Sequence, residues 1–202
     1  MAYSINVLRR HEQSTNKWSG GTTTQLAIYP ENAEYDKRNF LWRISSAKVE
    51  VEESTFTSLP GIKRIIMVLD GKLHLHHEGH HNIDLDVFQQ DTFSGDWNTK
   101  SYGKVTDFNL MMNEDSDGAL EAIGIKGNDS KEILSNKSVE AYYCVKGEVQ
   151  VTINGTELIK LCEGDFLLID MHDHEEIVTI KLSNLEDMTT QLVRTMLDYK
   201  TN

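Results

Sequence analysis

Arg43 and Arg64 are the residues whose chemistry most constrains this chain of 202 residues. Arg43 and Ser45 share strand parity with Ala47, Val49 and Val51, which turns that face, and the guanidinium with it, toward an interior. A buried charge is costly unless it is paired, so Arg43 calls for a carboxylate supplied by the protein or by a ligand. Asp107 and Asn109 share one face of another apolar run and are the obvious internal partners. Arg64 opens a strand just after the Pro60-Gly61 turn, where it can point into the mouth of the same interior. A guanidinium grips a carboxylate through two parallel N–H donors and so fixes its orientation as well as its charge. Two guanidiniums answered by one aspartate favour an anionic ligand; a closed Arg–Asp network is the alternative. Trp18-Ser19-Gly20-Gly21-Thr22 adds a possible cover. Paired glycines let the backbone approach a ligand, Trp18 can stack on a planar one and Thr22 can line a polar mouth, although Gly-Gly before a β run is also simply a turn.

Other chemistries find less support. No GxSxG elbow occurs, neither cysteine has a base arranged near it in sequence, and Gly20-Gly21 lacks the Gly-Lys-Ser/Thr ending of a phosphate loop. His74 and His76 share parity with Asp70 and Lys72 while Leu73 and Leu75 take the other side, so the stretch His74, His76, His77, His80, His81 reads as a solvated hairpin. Weak surface metal binding or a response near neutral pH is its alternative reading. Cys144 and Cys162 sit in apolar runs without metal-ligand spacing and read as buried apolar residues. With the lack of a basic-plus-apolar leader pattern, they point to the cytoplasm. A net charge of -12 repels phosphate backbones and anionic lipid, which argues against nucleic acid and membrane partners. No apolar run approaches the roughly 18 to 20 residues that cross a bilayer.

The elements that must hold these residues are mostly strands. Val, Ile, Thr and aromatic runs at 5–8, 22–29, 40–51, 64–70, 72–77 and 105–113 are followed by a second set at 120–126, 141–145, 148–153, 157–161, 165–170 and 176–182. Spacing of this kind predicts an all-β sandwich or barrel. Leu185, Met188, Leu192 and Met196 then recur at three and four residues, which predicts a helix over 183–200 with Ser183 or Asn184 at its cap. The segment around Gly71 and the segment around Gly147 repeat one order of apolar strand, Gly turn and alternating strand, an internal duplication joined by the polar stretch 113–118.

Four stretches, taken together, carry a family resemblance: Trp18-Ser19-Gly20-Gly21-Thr22-Thr23-Thr24, Phe40-Leu41-Trp42-Arg43-Ile44-Ser45-Ser46-Ala47, Phe56 through Leu59-Pro60-Gly61-Ile62-Lys63-Arg64, and Phe93-Ser94-Gly95-Asp96 followed by Asp107-Phe108-Asn109-Leu110-Met111. In that order they resemble the HutD/Ves family of bicupins. The resemblance implies tandem cupin β-barrels, here an N-terminal barrel over 1–113 and a C-terminal half with a short terminal helix over 114–202, packed as one unit. It also implies a link to histidine utilisation or to stress response, and in the former case a regulatory sensor of a small acid such as urocanate or a formylated amino acid.

Metal-binding cupins share an HxH pair followed by Glu, with a Gly turn seven residues after that Glu. Counting back from Gly71 places Arg64 at the Glu position with no HxH before it, and a guanidinium cannot ligate a metal. Counting back from Gly147 places Glu140 there, with His172 and His174 after the Gly164-Asp165 corner but again no HxH. The expectation is therefore a metal-free, cofactor-free, non-enzymatic protein that binds a small carboxylate through Trp18, Thr22, Arg43, Ser45, Arg64, Asp107 and Asn109, with no catalytic residue and no metal ligand. A metal-independent enzyme acting on a small organic acid, with Asp107 or a histidine as general base, is the alternative. A homodimer through a sheet edge is also expected.

Overall fold

The described residues form nineteen strands and two single-turn 3-10 helices, Arg10–Glu12 and Tyr35–Lys37. The structure is a computed structural model and describes residues 3–171 and 176–200. Gly and Asn at positive φ, Asn128 and Asn154 among them, close several of the turns between strands; Gly71 and Gly147, the two glycines of the sequence repeat, both have φ above +80°. A Cβ at Gly71 would come within 2.6 Å of the Lys104 carbonyl, so only glycine makes that turn and that approach together.

Two compact units result, one of Gln13–Asp117 with the chain from Tyr199 onward, the other of Gly118–Asp198 with the chain up to Glu12. The first unit holds a six-stranded antiparallel sheet in the order Thr15–Trp18, Gly21–Tyr29, Trp42–Val49, Val105–Met112, Lys63–Gly71, Gln90–Ser94. A four-stranded sheet, Glu53–Thr55, Thr99–Tyr102, Leu73–His77, Asn82–Leu85, faces it. Val49, Ile66, Val68, Phe93 and Val105 from the larger sheet meet Leu73, Leu75 and Leu85 from the smaller to make the core between them. The second unit repeats the plan. Its five-stranded sheet runs Tyr3–Leu8, Phe166–Met171, Val139–Lys146, Thr190–Tyr199, Ser116–Ile125, and its four-stranded sheet runs Ser130–Ser135, Val178–Ser183, Glu148–Ile153, Glu157–Cys162. Tyr142, Leu167 and Ile169 on one side and Val151, Ile153 and Ile180 on the other are fully buried between them.

Three expectations change. Among the described residues no ladder closes on itself: each unit is a pair of open sheets rather than a closed barrel, with edge strands as short as Glu53–Thr55. The helix expected over 183–200 is the strand Thr190–Tyr199, paired with Val139–Lys146 from Val139↔Leu197 to Cys144↔Leu192. Leu185 and Met188, half of the helical spacing, lie exposed before that strand begins, while Thr190, Leu192, Thr195 and Leu197 are buried and two of the four are β-branched. Asn184 caps a loop instead of a helix: its Oδ1 accepts from the Glu186 N–H at 3.0 Å and its amide donates to the Ile125 and Met188 carbonyls. Cys162 is exposed, because strand alternation puts its neighbour Leu161 inward, whereas Cys144 is buried; both thiols are free. Burial pushes the Cys144 thiol up to about 12.

Strand and helix make different predictions for the tail. On a helix, Met188 and Leu192 would share one buried face; here Leu192→Ala lowers stability by about 2–5 kcal/mol and Met188→Ala by less than about 0.5 kcal/mol, as read by urea denaturation.

Candidate functional site

The six-stranded sheet brings the two arginines level with each other. Met111 pairs with Arg43 on one neighbouring strand and with Arg64 on the other, and directly opposed residues of antiparallel strands point to one face. Two positions along, Asn109 lies opposite Ser45, and Asp107 opposite Ala47, on that same inner face. The sheet thus gathers Arg43, Ser45, Arg64, Asp107 and Asn109 into one buried cluster, none of them more than 6% exposed.

Within it, Arg43 donates from Nε to Gln25 Oε1 at 2.9 Å and from Nη1 to Ser45 Oγ at 3.1 Å, and its guanidinium lies 4.5 Å from the Tyr35 ring centre. Arg64 donates from Nη2 to Asn109 Oδ1 at 3.1 Å and sits between Phe56 and Phe93, 4.6 and 5.2 Å from their ring centres. Asn109 turns its amide nitrogen to Asp107 Oδ1 and so links guanidinium to carboxyl without letting them touch. Neither arginine forms an ion pair among the described residues, and Arg64 Nε is buried with no hydrogen-bond partner.

Burial sets the protonation of this cluster. Desolvation lowers Arg64 to about 10, with Tyr35 and Asp107 opposing and Arg43 adding to the fall, and lowers Arg43 as well. Both stay cationic at neutral pH. Asp107 moves the other way, up to about 7 through desolvation, against the pull of Arg64 and of the Asn109 amide. Near neutrality the cluster therefore holds two cations and a carboxyl that is only part ionised.

Thr22 and Trp18 fall outside it. Thr22 pairs with Lys48, one residue out of step with Ala47, and so faces the other way. A bulge between Gln25 and Ala27 takes up Leu26, so Thr23 and Gln25, not Thr22 and Thr24, share the inner face with Ile28. Trp18 is 40% exposed with its ring folded over Gly20. Gln25 and the three aromatic rings are the site residues that sequence reading missed; the bulge hid Gln25, and ring contacts of this kind leave no spacing signal.

The second unit handles its buried charge differently. Glu140, fully buried, takes Arg194 in a two-point pair, Nε to Oε2 at 2.8 Å and Nη2 to Oε1 at 2.5 Å, and accepts from Tyr142 Oη at 3.2 Å. Arg194 also reaches Glu121 Oε2 at 3.0 Å. Glu140 is thus engaged by an arginine, and His172 and His174 lie outside the described residues. In the histidine stretch, His74 and His76 do sit on the outward face beside Asp84 and Asn82, but His77 shares parity with Leu73 and Leu75 and is buried.

A model of the HutD family matches residues 10–187. The chain belongs to the HutD family. No curated protein matches its sequence. Among solved structures it is similar to a conserved protein of unknown function, PA5104, from Pseudomonas aeruginosa PAO1, with a TM-score of 0.85 and 22% identity over 96% of this chain and 99% of that one. It is also similar to HutD from Pseudomonas fluorescens SBW25, in a formate condition, with a TM-score of 0.76 and 22% identity over 98% and 100%. Oxalate decarboxylase from Lactobacillus farciminis, in complex with formate, shares the fold at a TM-score of 0.70 and 8% identity over 97% and 87%. This HutD protein therefore has the all-β fold of these cupin-like structures. None of its helices is long and apolar enough to cross a membrane among the described residues.

The raised Asp107 predicts the sign of one pH effect. Its folded value lies above the unfolded one near 4, so its contribution to stability is complete below about pH 4 and is lost as pH rises through about 7, on the order of a few kcal/mol. Denaturation at pH 4.5 and pH 8 should show that fall in the wild type, and Asp107→Asn should remove most of it.

Proposed function

We propose that this HutD protein is a tandem-cupin, non-enzymatic small-molecule sensor that binds a carboxylate anion at the Arg43–Arg64 cluster. Arg64 carries the reading: a buried guanidinium with one N–H unanswered, beside a second arginine and a carboxyl whose charge is only partly present. A small carboxylate between the guanidiniums would supply the missing charge and acceptors, with Asn109 and Ser45 orienting it. Ionised Asp107 competes with the ligand for the same cations, so binding strengthens as Asp107 takes up its proton. The family points to histidine utilisation, hence to urocanate and formylated amino acids as ligands, and formate is the smallest probe of the same chemistry. A soluble protein of the cytoplasm, working as a homodimer without nucleic acid or membrane partners, fits this role.

A second reading, a metal-independent enzyme acting on a small organic acid, rests on Asp107 itself. A carboxyl titrating near 7 is suited to general-base work beside a bound anion.

A thermal-shift series with formate, urocanate and N-formylglutamate tests the proposal. At about 100 times the dissociation constant the midpoint should rise by roughly 5–10 °C, about 2.7 kcal/mol. Arg64→Met and Arg43→Met should abolish the rise, and affinity should be higher at pH 6 than at pH 8 in the wild type but equal in Asp107→Asn. Saturable binding that survives both arginine substitutions would overturn the assignment, and turnover of any of these acids would favour the enzyme.

A further inference from the structure

His77, His81 and Asp91 stand apart from the arginine cluster and come from both sheets of their unit. His77 ends the strand Leu73–His77, and a tight turn through Gly79 returns the chain so that the His77 N–H donates to the His81 carbonyl at 2.9 Å. Asp91 belongs to the strand Gln90–Ser94 of the six-stranded sheet, opposite Ile66. Both imidazoles meet one carboxylate oxygen: His77 Nε2 and His81 Nε2 lie 2.9 and 3.1 Å from Asp91 Oδ2. The three atoms fall within 4.8 Å of one another. His77 is 1% exposed, whereas the His81 side chain is 39% exposed, which opens the cluster to solvent on one side only.

The surroundings orient His77 for ligation. Thr99, its cross-strand partner, is fully buried and places Oγ1 2.7 Å from His77 Nδ1 while donating its own proton to the Trp97 carbonyl at 3.4 Å. With an ion bound, Nδ1 would carry the imidazole proton and donate it to Thr99 Oγ1, whose own proton can turn to the Trp97 carbonyl, and the Nε2 lone pair would be free for the ion. In the metal-free protein His77 Nε2 and Asp91 Oδ2 are joined by a hydrogen bond at 2.9 Å, and a divalent cation would take the place of the shared proton between the same two atoms. A metal-bound histidine whose other nitrogen is fixed by a protein oxygen is the usual way a ligating imidazole is oriented.

We propose that His77 Nε2, His81 Nε2 and Asp91 Oδ2 bind a divalent transition-metal ion of the zinc class. Two imidazoles and a carboxylate suit such an ion, which leaves a fourth position on the His81 side open to water. Ligand atoms about 2.0–2.2 Å from a tetrahedral centre stand about 3.3 Å apart, so the observed 2.9 and 3.1 Å need open only slightly. The ion would join the turn after Leu73–His77 to Gln90–Ser94 and so tie the unit's two sheets together. The site differs from the cupin pattern tested at Arg64 and Glu140, and it neither uses nor requires the arginine cluster.

Cobalt(II) and zinc(II) titrations of the purified, chelator-treated full chain test this, read by calorimetry and by the visible absorption of cobalt(II). The expected result is one site per chain and a rise in melting temperature on zinc addition. His81→Ala and Asp91→Asn, both at less buried positions than His77, should each weaken binding at least about tenfold, the lower range seen for loss of supporting groups at metal sites. The double variant His74→Ala/His76→Ala, which removes the outward histidines, should bind as the wild type does. No binding by the wild type, binding unchanged in His81→Ala and Asp91→Asn, or binding lost only in the His74/His76 variant would overturn the proposal.

Discussion

A guanidinium that no carboxylate touches is the constraint around which the six-stranded sheet is arranged. Arg64 enters the interior between two aromatic rings, gives one proton to Asn109 and leaves Nε unanswered. A desolvated cation of this kind costs several kcal/mol unless its surroundings compensate. Ring faces offset part of that cost. The Asn109 amide passes the remainder on to Asp107, which is itself so desolvated that it holds a proton up to about pH 7. The charge of Arg64 and the Asn109 amide alone would depress the Asp107 titration; that it rises means desolvation outweighs both. The result is a site whose electrostatics remain open to a negative guest.

The other unit shows the closed solution on the same architecture. Glu140 meets Arg194 through two parallel hydrogen bonds, with Tyr142 and Glu121 completing the set. There the charges cancel within the protein. Two halves with the same plan of paired sheets have therefore settled their buried arginines in opposite ways, and this difference is what supports the proposal of anion binding at Arg43 and Arg64.

Much of this was readable from residue order. Strand parity placed Arg43, Ser45, Asp107 and Asn109 inward, since an alternating face of Ala and Val cannot be left in water. Thr22, expected at the polar mouth, faces away for a physical reason: one extra residue at Leu26 shifts every side chain before it to the opposite face. The tail misled because Leu185, Met188, Leu192 and Met196 fall at helical spacing by coincidence, and cross-strand pairing with Val139–Lys146 decides a segment rich in β-branched residues. His77 was legible but overlooked, since its parity with Leu73 and Leu75 already turned it inward. Its meeting with Asp91 was not, because nothing local brings two different sheets together.

The protonation of Asp107 tests this account most directly. A 13C NMR titration of the side-chain carboxyl, assigned by difference from Asp107→Asn, should give a midpoint near 7 in the free protein, as burial requires. Saturating formate should raise that midpoint, because an anion held by the same arginines disfavours a second negative charge. A midpoint at or below about 4, the ordinary value for aspartate, and unmoved by formate, would mean that the arginines already hold their counter-charge and that the cluster is structural.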